Sequence, residues 1–257
     1  MDYGFFVNAA LALFLLSAAV YLFVITAKKP VLEKPALILF ILGGTCLAGW
    51  LAARWISAGY APMTNTHETL LVFAMLIPPV YLAFIRRIAG AAASFGAAML
   101  VVIIIAASSF FPGTPGPLMP ALKSNWLVIH VLFCFVGYAA FAVAFVLSII
   151  YLAGKASNES LDDASYRAIL FGLPFLTLGI VTGAVWADQA WGRYWSWDPK
   201  ETWSLITWLV YGIYLHLRLT AGWKGQKSAV LAILGFGFVL FTYFGVNYLL
   251  SSIHSYK

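Results

Sequence analysis

Charged residues are scarce in this 257-residue sequence: they make up only 9%, whereas 63% of residues are hydrophobic. Soluble globular domains contain about 25% charged and about 45–50% apolar residues. This composition excludes a soluble enzyme, a disordered segment and a coiled coil. The apolar runs are unbroken, so they lack the alternation of polar and apolar residues that marks outer-membrane strands. The sequence therefore predicts an all-α polytopic membrane protein.

Cysteine is also rare, and several signature motifs are missing. Cys46 and Cys134 both lie inside apolar segments, where a free cysteine is ordinarily a small buried residue. Without CxxC or CxxCH, the chain is neither thioredoxin-like nor itself a c-type cytochrome. Without Walker or GxGxxG sequences, nucleotide-driven work by this chain alone is not expected. The net charge is +6, but the basic residues are scattered in short loops, so no nucleic-acid partner is predicted.

Eight apolar segments are each long enough to cross a bilayer as a helix. They are residues 5–27, 35–56, 69–86, 88–107, 125–152, 166–187, 202–219 and 229–253, with a tight turn at Ile85–Ile88 between the third and fourth. Lys28 and Lys29 follow the first segment and indicate an N-terminus outside. Ten of the 15 basic residues then lie on the inner side, and eight spans return the C-terminus to the outside. The leader Met1-Asp2-Tyr3 is not basic, which argues against a cleavable signal peptide.

No soluble domain interrupts these spans, so we expect one membrane domain over 1–257. It comprises an N-terminal four-helix part, 1–119, and a C-terminal part, 120–257. The outer stretches under this topology are 57–68, 108–124 and 188–201. The largest inner loop, 154–165, contains Asp162 and Asp163 and is predicted to be a solvated connector.

Tryptophan is concentrated in one segment. Six of the 10 tryptophans fall within residues 186–208: Trp186, Trp191, Trp195, Trp197, Trp203 and Trp208. An aromatic belt at the membrane interface would spread over all span ends, whereas a flat aromatic surface suits a large planar ligand. Asp198, Pro199 and Glu201 also resemble an N-cap, a first-position proline and a capping-box glutamate. A belt combined with a good helix start is therefore the alternative interpretation.

The four histidines, His67, His130, His216 and His254, are the candidate metal ligands, since ionisable residues in or near spans are functional candidates. The alternative for each is a structural histidine at the interface. Topology puts all but His216 outside; His216 is about 22 Å further along the helix that contains Glu201. Haem suits the outer set, because its iron accepts two axial imidazoles and its macrocycle needs an apolar surface. Two depths imply either one site plus a structural histidine, or two sites.

The segment Trp191-Gly192-Arg193-Tyr194-Trp195-Ser196-Trp197-Asp198-Pro199-Lys200-Glu201-Thr202-Trp203 resembles the WWD signature of haem-handling proteins. Its continuation to Trp208, the stretches Trp126–Val131, Gly137–Ala140 and Tyr214–Arg218, and the tail 245–256 resemble the CcsA (ResC) family, part of the two-component, system II cytochrome c synthetase. The related CcmC and CcmF proteins share the WWD core without this continuation. The resemblance covers about 120–257 and is weaker from about 62. We call residues 186–203 the WWD loop.

This resemblance implies roles for individual residues. It implies that His130 and His254 ligate haem iron at an outer site, and that His216 ligates it within the membrane, with the other axial ligand supplied by a CcsB (ResB) subunit. The implied haem-contacting residues of the WWD loop are Trp191, Gly192, Trp195, Trp197, Asp198, Glu201 and Trp203. No residue is assigned as a catalytic acid or base, and His67 is not expected to be a ligand. Arg193 and Lys200 either pair with haem propionates or face water or headgroups.

The function that the resemblance implies is a holocytochrome c synthase (haem lyase) subunit. It would lie in the cell inner membrane, take haem b as substrate, and act on the outer face on CxxCH apocytochromes together with its CcsB partner. A haem exporter or delivery scaffold without ligation chemistry is the alternative. A quinone-reactive haem subunit is a third possibility, although no helix here has the two histidines usual in such proteins. An ordinary solute transporter is the fourth.

Overall fold

A computed structural model describes residues 3–84, 86–113, 120–154 and 159–250. All regular elements within these ranges are helical, which confirms the predicted all-α fold. The helices are α1 Gly4–Ala27, α2 Glu33–Ala58, α3 Thr66–Phe84, α4 Arg86–Ser108, α5 Asn125–Ala153, α6 Glu159–Trp191, α7 Pro199–Thr220, α8 Gln226–Leu240 and α9 Val246–Leu249. Short 3-10 turns lie at Pro30–Leu32 and Pro120–Leu122, and a π-helical turn, Phe241–Gly245, joins α8 to α9.

In the described part of the chain, seven segments are long and apolar enough to cross a membrane. They are Gly4–Ala27, Pro30–Ala58, Thr66–Ala83, Gly90–Ser108, Asn125–Ala153, Glu159–Trp191 and Gln226–Leu249. The predicted seventh span, 202–219, falls within α7 but is not among them, since its polar and aromatic residues lower its mean hydropathy. At 22 residues, α7 is still about 33 Å long. The protein is therefore a polytopic membrane protein, and the side on which each terminus lies stays a prediction.

The chain forms two compact units, Met1–Gly116 and Pro117–Lys257. In the first unit, the hydroxyl of Ser17 donates a 2.8 Å hydrogen bond to the carbonyl of Ala36, which joins α1 to α2. The rings of Phe14, Phe40 and Tyr81 form an edge-to-face series with centroid separations of 5.4 and 5.9 Å. These buried aromatic contacts connect α1, α2 and α3 in one core.

The boundary between the third and fourth spans differs from the prediction. Arg86–Ile88 are helical rather than a tight turn, and residue 85 lies outside the described residues. The helical geometry is broken instead at Gly90, where φ is +70° and ψ is −174°. Glycine adopts a positive φ without the steric cost that a β-carbon brings, so the break falls at this residue.

In the second unit, α5 and α6 approach each other closely through glycines. A β-carbon on Gly137 would lie 3.0 Å from the carbonyl oxygen of Gly172, and one on Gly172 would lie 2.8 Å from the ring of Phe141. Small residues of this kind allow membrane helices to pack backbone against backbone. The α5–α6 pair therefore forms the framework on which the candidate site is built.

The prediction of a solvated connector at 154–165 is wrong for its second half; residues 155–158 lie outside the described range. Helix α6 already begins at Glu159. The Asp162 carboxylate forms a 2.7 Å ion pair with Arg218 of α7, and the two side chains are only 10% and 8% exposed. Asp162 also accepts a hydrogen bond from the backbone N–H of Gly225 at 3.1 Å. Asp162 is largely shielded from solvent because it joins α6, α7 and the start of α8.

Candidate functional site

His130 lies in the second turn of α5, after the Ser124 N-cap. Its Nδ1 is 2.7 Å from the carbonyl oxygen of Gly179 on α6. A carbonyl can only accept a hydrogen bond, so the proton of the neutral ring is on Nδ1 and the lone pair is on Nε2. Metal-binding histidines are commonly held in this way by a bond from the nitrogen that does not bind the metal. The geometry therefore makes Nε2 of His130 the nitrogen that can coordinate iron.

The His130 ring lies against the C-terminal half of α6. Its plane lies within 11° of the Trp186 ring, at a centroid distance of 6.3 Å. Trp186 is buried, its indole N–H donates to the carbonyl of Ala121 at 2.9 Å, and its ring meets Trp191 edge-on at 4.8 Å. Trp186 and Trp191 therefore form part of the wall beside His130.

The non-helical part of the WWD loop is shorter than the predicted outer stretch 188–201. Helix α6 continues to Trp191, and Gly192, with φ +73°, ends it by donating its N–H to the carbonyl of Asp188 at 2.8 Å. A glycine in the left-handed region is a common helix terminator. The non-helical residues are therefore only 192–198, and they connect directly to α7.

Trp197 is the most exposed tryptophan of this short loop. Its side chain is 68% exposed, and its ring meets Trp195 edge-on at a centroid distance of 5.7 Å. Its φ of +60° is unusual for a bulky residue. Residues held in such conformations cluster at functional sites. Trp197 thus offers a large aromatic face for a planar ligand.

The predicted capping box at the start of α7 is present. Asp198 accepts the N–H of Lys200 at 3.0 Å, and Glu201 accepts the N–H groups of Asp198 and Ser196 at 3.2 and 2.7 Å. Both carboxylates are therefore used to fix the loop on the helix. Asp198 and Glu201 act on the site by holding the backbone that carries Trp195 and Trp197.

Trp203 and Trp208 are directed towards neighbouring helices. The Trp203 ring packs on Phe241 and Phe238, with centroids 4.2 and 5.9 Å away. The indole N–H of Trp208 donates to Thr177 of α6 at 2.8 Å. Trp203 thus lies in the contact between α7 and α8, and its predicted contact with haem stays a prediction.

His216 is near the other end of α7 from the WWD loop. Its side chain is exposed, and the hydrogen bond from Thr220 goes to its backbone carbonyl, not to its ring. The described residues supply no hydrogen bond to its imidazole. The arrangement leaves this ring accessible to a group from outside the chain.

Comparison with known proteins identifies the family. Residues 6–254 match the family described as cytochrome C assembly protein. The chain belongs to this family. Its relatives include the cytochrome c biogenesis protein CcsA of Synechococcus elongatus, 38% identical over 84% of this chain and 85% of that protein. The CcsA of Chlamydomonas reinhardtii is 41% identical over 80% of this chain and 64% of its own, and that of a Synechocystis strain is 34% identical over 98% and 97%.

A solved structure shares the fold of this CcsA-family chain. The cytochrome c haem lyase CcmF superimposes with a TM-score of 0.67 at 19% sequence identity, covering 98% of this chain and 47% of that one. At this identity the likeness concerns the arrangement of helices alone.

The other two histidines of this CcsA-family chain are His254 and His67. His254 lies outside the described residues, so its pairing with His130 stays a prediction. His67 belongs to the first unit, where its Nδ1 is 2.9 Å from the carbonyl of Ser108 and ties the start of α3 to the end of α4.

Two polar contacts were not foreseen from the sequence. Lys200 donates from Nζ to Asn247 of α9 at 3.0 Å, so its ammonium has a protein partner, whereas Arg193 is exposed. In the first unit, Arg54 and Glu68 form a buried ion pair at 2.8 Å. Each contact joins residues of two different helices. In the sequence, each was indicated only by a polar residue near the end of a predicted helix.

Proposed function

We propose that this protein binds haem b as its substrate and presents it, on the outer face of the cell inner membrane, for covalent attachment to apocytochromes with a CxxCH segment. The supporting observation is the geometry of His130. Its Nδ1 bond to the carbonyl of Gly179 at 2.7 Å leaves Nε2 as the coordinating nitrogen, and its ring lies parallel to Trp186 of the WWD loop. One imidazole and an aromatic surface are what haem requires from this part of the chain.

At the outer site, His130 and His254 are the axial ligands. Trp191, Gly192, Trp195 and Trp197 contribute the surface on which the macrocycle lies, and the Asp198–Glu201 capping box holds that surface in place. Trp197 fits this role, because its ring is large and flat and its side chain is 68% exposed.

At the inner site, His216 is one axial ligand and a CcsB (ResB) subunit supplies the other. The exposure of His216 supports this division, since a haem held between two subunits must be bound by residues on the surface of each. Haem would pass from this site to the outer one, so the chain functions only together with its partner.

The covalent step is an addition that needs no oxidant or reductant. The histidine of the CxxCH segment replaces one axial ligand, and each cysteine thiol adds across a haem vinyl group. A C–S bond forms at one vinyl carbon, the vinyl double bond becomes single, and the thiol hydrogen ends on the other carbon. The chain's contribution is to hold the reactants together.

The proposal is tested by co-expressing the chain with a CcsB-type partner and a reporter apocytochrome. We expect His130→Ala and His254→Ala, each alone, to weaken the haem absorption spectrum and the covalent haem on a haem-stained gel, and external imidazole to restore ligation in part. His67→Ala is the matched control, and we expect it to leave both the haem spectrum and the covalent haem unchanged. Unchanged spectra and yields in both outer-site variants would refute the site.

Two further readouts separate the parts of the proposal. His216→Ala should reduce the haem that co-purifies with the assembled complex, and an unchanged haem content would exclude the inner site. The second readout is thioether formation on a supplied CxxCH apocytochrome. If the complex binds and moves haem but forms no thioether, the exporter or scaffold function is established instead.

A further inference from the structure

We infer that Gly183 is a positioning residue for the haem ligand His130: only a residue without a β-carbon at this place lets the imidazole reach the carbonyl of Gly179. The inference rests on the proposed function, because it takes His130 as an axial ligand. Under this inference, α6 also sets the orientation of the His130 ring, in addition to contributing Trp186 and Trp191 beside it.

Three contacts from one face of α6 define the position of the ring. Gly179 accepts the Nδ1 hydrogen bond at 2.7 Å, Trp186 lies parallel to the ring, and Gly183 lies between them in sequence. These residues are four and three positions apart, so they share one face of the helix. The ring of His130 therefore lies along this face, directly over Gly183.

The space at Gly183 is filled by the ring itself. A β-carbon there would lie 2.5 Å from Nδ1, 2.7 Å from Cε1 and 3.3 Å from Cγ of His130. Such distances are shorter than van der Waals contact, so an alanine methyl would displace the imidazole. The displaced ring would lose the bond to Gly179 that fixes both its tautomer and its direction. The α6 backbone is held against α5 by other glycines, so it cannot withdraw to make room.

Two other glycines provide matched controls. Gly172 is also on α6 and in close contact with α5, where a β-carbon would lie 2.8 Å from Phe141, but it is about 16 Å along the helix from Gly183. Gly237 is on α8, where an added β-carbon would have no atom within 4 Å other than those of its chain neighbours and its own helix backbone. Gly172→Ala thus disturbs the packing of α5 against α6 without touching His130. Gly237→Ala shows the effect of a glycine-to-alanine substitution that creates no steric clash.

The test uses the assembled complex with its partner and reporter cytochrome. Loss of a residue that orients a metal ligand typically reduces affinity or activity about 10- to 100-fold, and we expect Gly183→Ala to lower covalent haem within this range. Its haem spectrum should shift in the same direction as that of His130→Ala, and external imidazole should reverse the shift. Gly237→Ala should match the parent, and Gly172→Ala should lower the amount of folded protein without changing the spectrum per haem bound.

A double variant makes the inference specific. In a His130→Ala background, Gly183→Ala should have no added effect on the spectrum, since the ring that it displaces is absent. If Gly183→Ala leaves the spectrum unchanged while His130→Ala alters it, the positioning role is refuted and the proposed function stands. If His130→Ala itself leaves the spectrum unchanged, the proposed function fails at its first step.

Discussion

Trp197 combines two properties that rarely occur together in one residue: a left-handed backbone conformation and a large side chain exposed over 68% of its surface. For an L-residue other than glycine, this backbone region costs on the order of 1 kcal/mol. An exposed side chain contributes little packing energy to offset this strain, so the fold alone does not explain a tryptophan at this position. This combination therefore supports the proposal that Trp197 contributes to ligand binding and not to stability.

Replacement of Trp197 by glycine separates these two properties. We expect Trp197→Gly to leave the thermal unfolding midpoint of the purified complex unchanged or higher, because the strain is relieved, while haem retention falls. Tyr194→Gly is the control: it removes another exposed ring of the same loop, 60% exposed, without any positive φ to relieve, and should lower the midpoint. Equal losses of stability in both variants would contradict the argument.

His67 and His130 show what a single hydrogen bond does and does not indicate. Both rings place Nδ1 within 2.9 Å of a backbone carbonyl, so both have the same tautomer when neutral, with the proton on Nδ1. The bond alone therefore does not mark a haem ligand. What distinguishes His130 is its surroundings, since a parallel tryptophan and the WWD loop accompany it.

At the scale of single elements, the start of α7 fixes the WWD loop through local bonds. Asp198 is buried, with 8% of its surface exposed, and its side chain caps the helix, while Glu201 reaches back to two backbone N–H groups of the loop. The loop and the helix therefore form one structural piece, and weakening the cap should loosen both.

Limited proteolysis tests this coupling at Arg193, an exposed trypsin site within the loop. Asp198→Ala removes the cap, which costs about 1 kcal/mol, and we expect faster cleavage after Arg193. Asp198→Asn keeps an oxygen that can accept the same bond, so its cleavage rate should stay close to that of the parent. Equal acceleration in both variants would mean that the charge, not the cap, holds the loop.

These elements differ in how far the sequence predicts them. The capping box depends on residues within five positions, so Asp198, Pro199 and Glu201 indicate it directly. The position of the His130 ring depends on contacts with Gly179 and Gly183, which are about 50 positions away on another helix. Glycine in an apolar segment gives no sign of which ring it faces, and this contact follows only once α5 and α6 are packed.

At the scale of the whole molecule, unbroken apolar runs predicted the all-α membrane fold, because the bilayer permits few other spanning structures. The same reasoning overlooked Asp162. A loop rich in acidic residues ordinarily faces water, but here Asp162 is joined to Arg218, 56 positions later. Ion pairs across such distances depend on helix packing, which hydropathy does not encode.

The Asp162–Arg218 pair should be a main determinant of stability in the second unit. Removing one partner of a buried pair typically costs about 3–5 kcal/mol, because the other charge stays buried. We expect Asp162→Ala to lower the thermal unfolding midpoint strongly. Asp163→Ala is the matched control: its pair with Arg167 is exposed, at 42% and 59% for the two side chains, and should contribute less than about 1 kcal/mol. Equal shifts would refute the assigned role.

The π-helical turn at Phe241–Gly245 sets the rotation of α9, the short helix that follows it. Such a turn contains one residue more than an α-helical turn, and each residue advances a helix by about 100°. The extra residue therefore rotates α9 by roughly a quarter of a revolution, and Asn247 comes to face Lys200. A one-residue deletion within the turn would restore an ordinary helix and swing Asn247 away from α7. The direction in which Asn247 points is thus set by one additional residue in the turn that precedes α9.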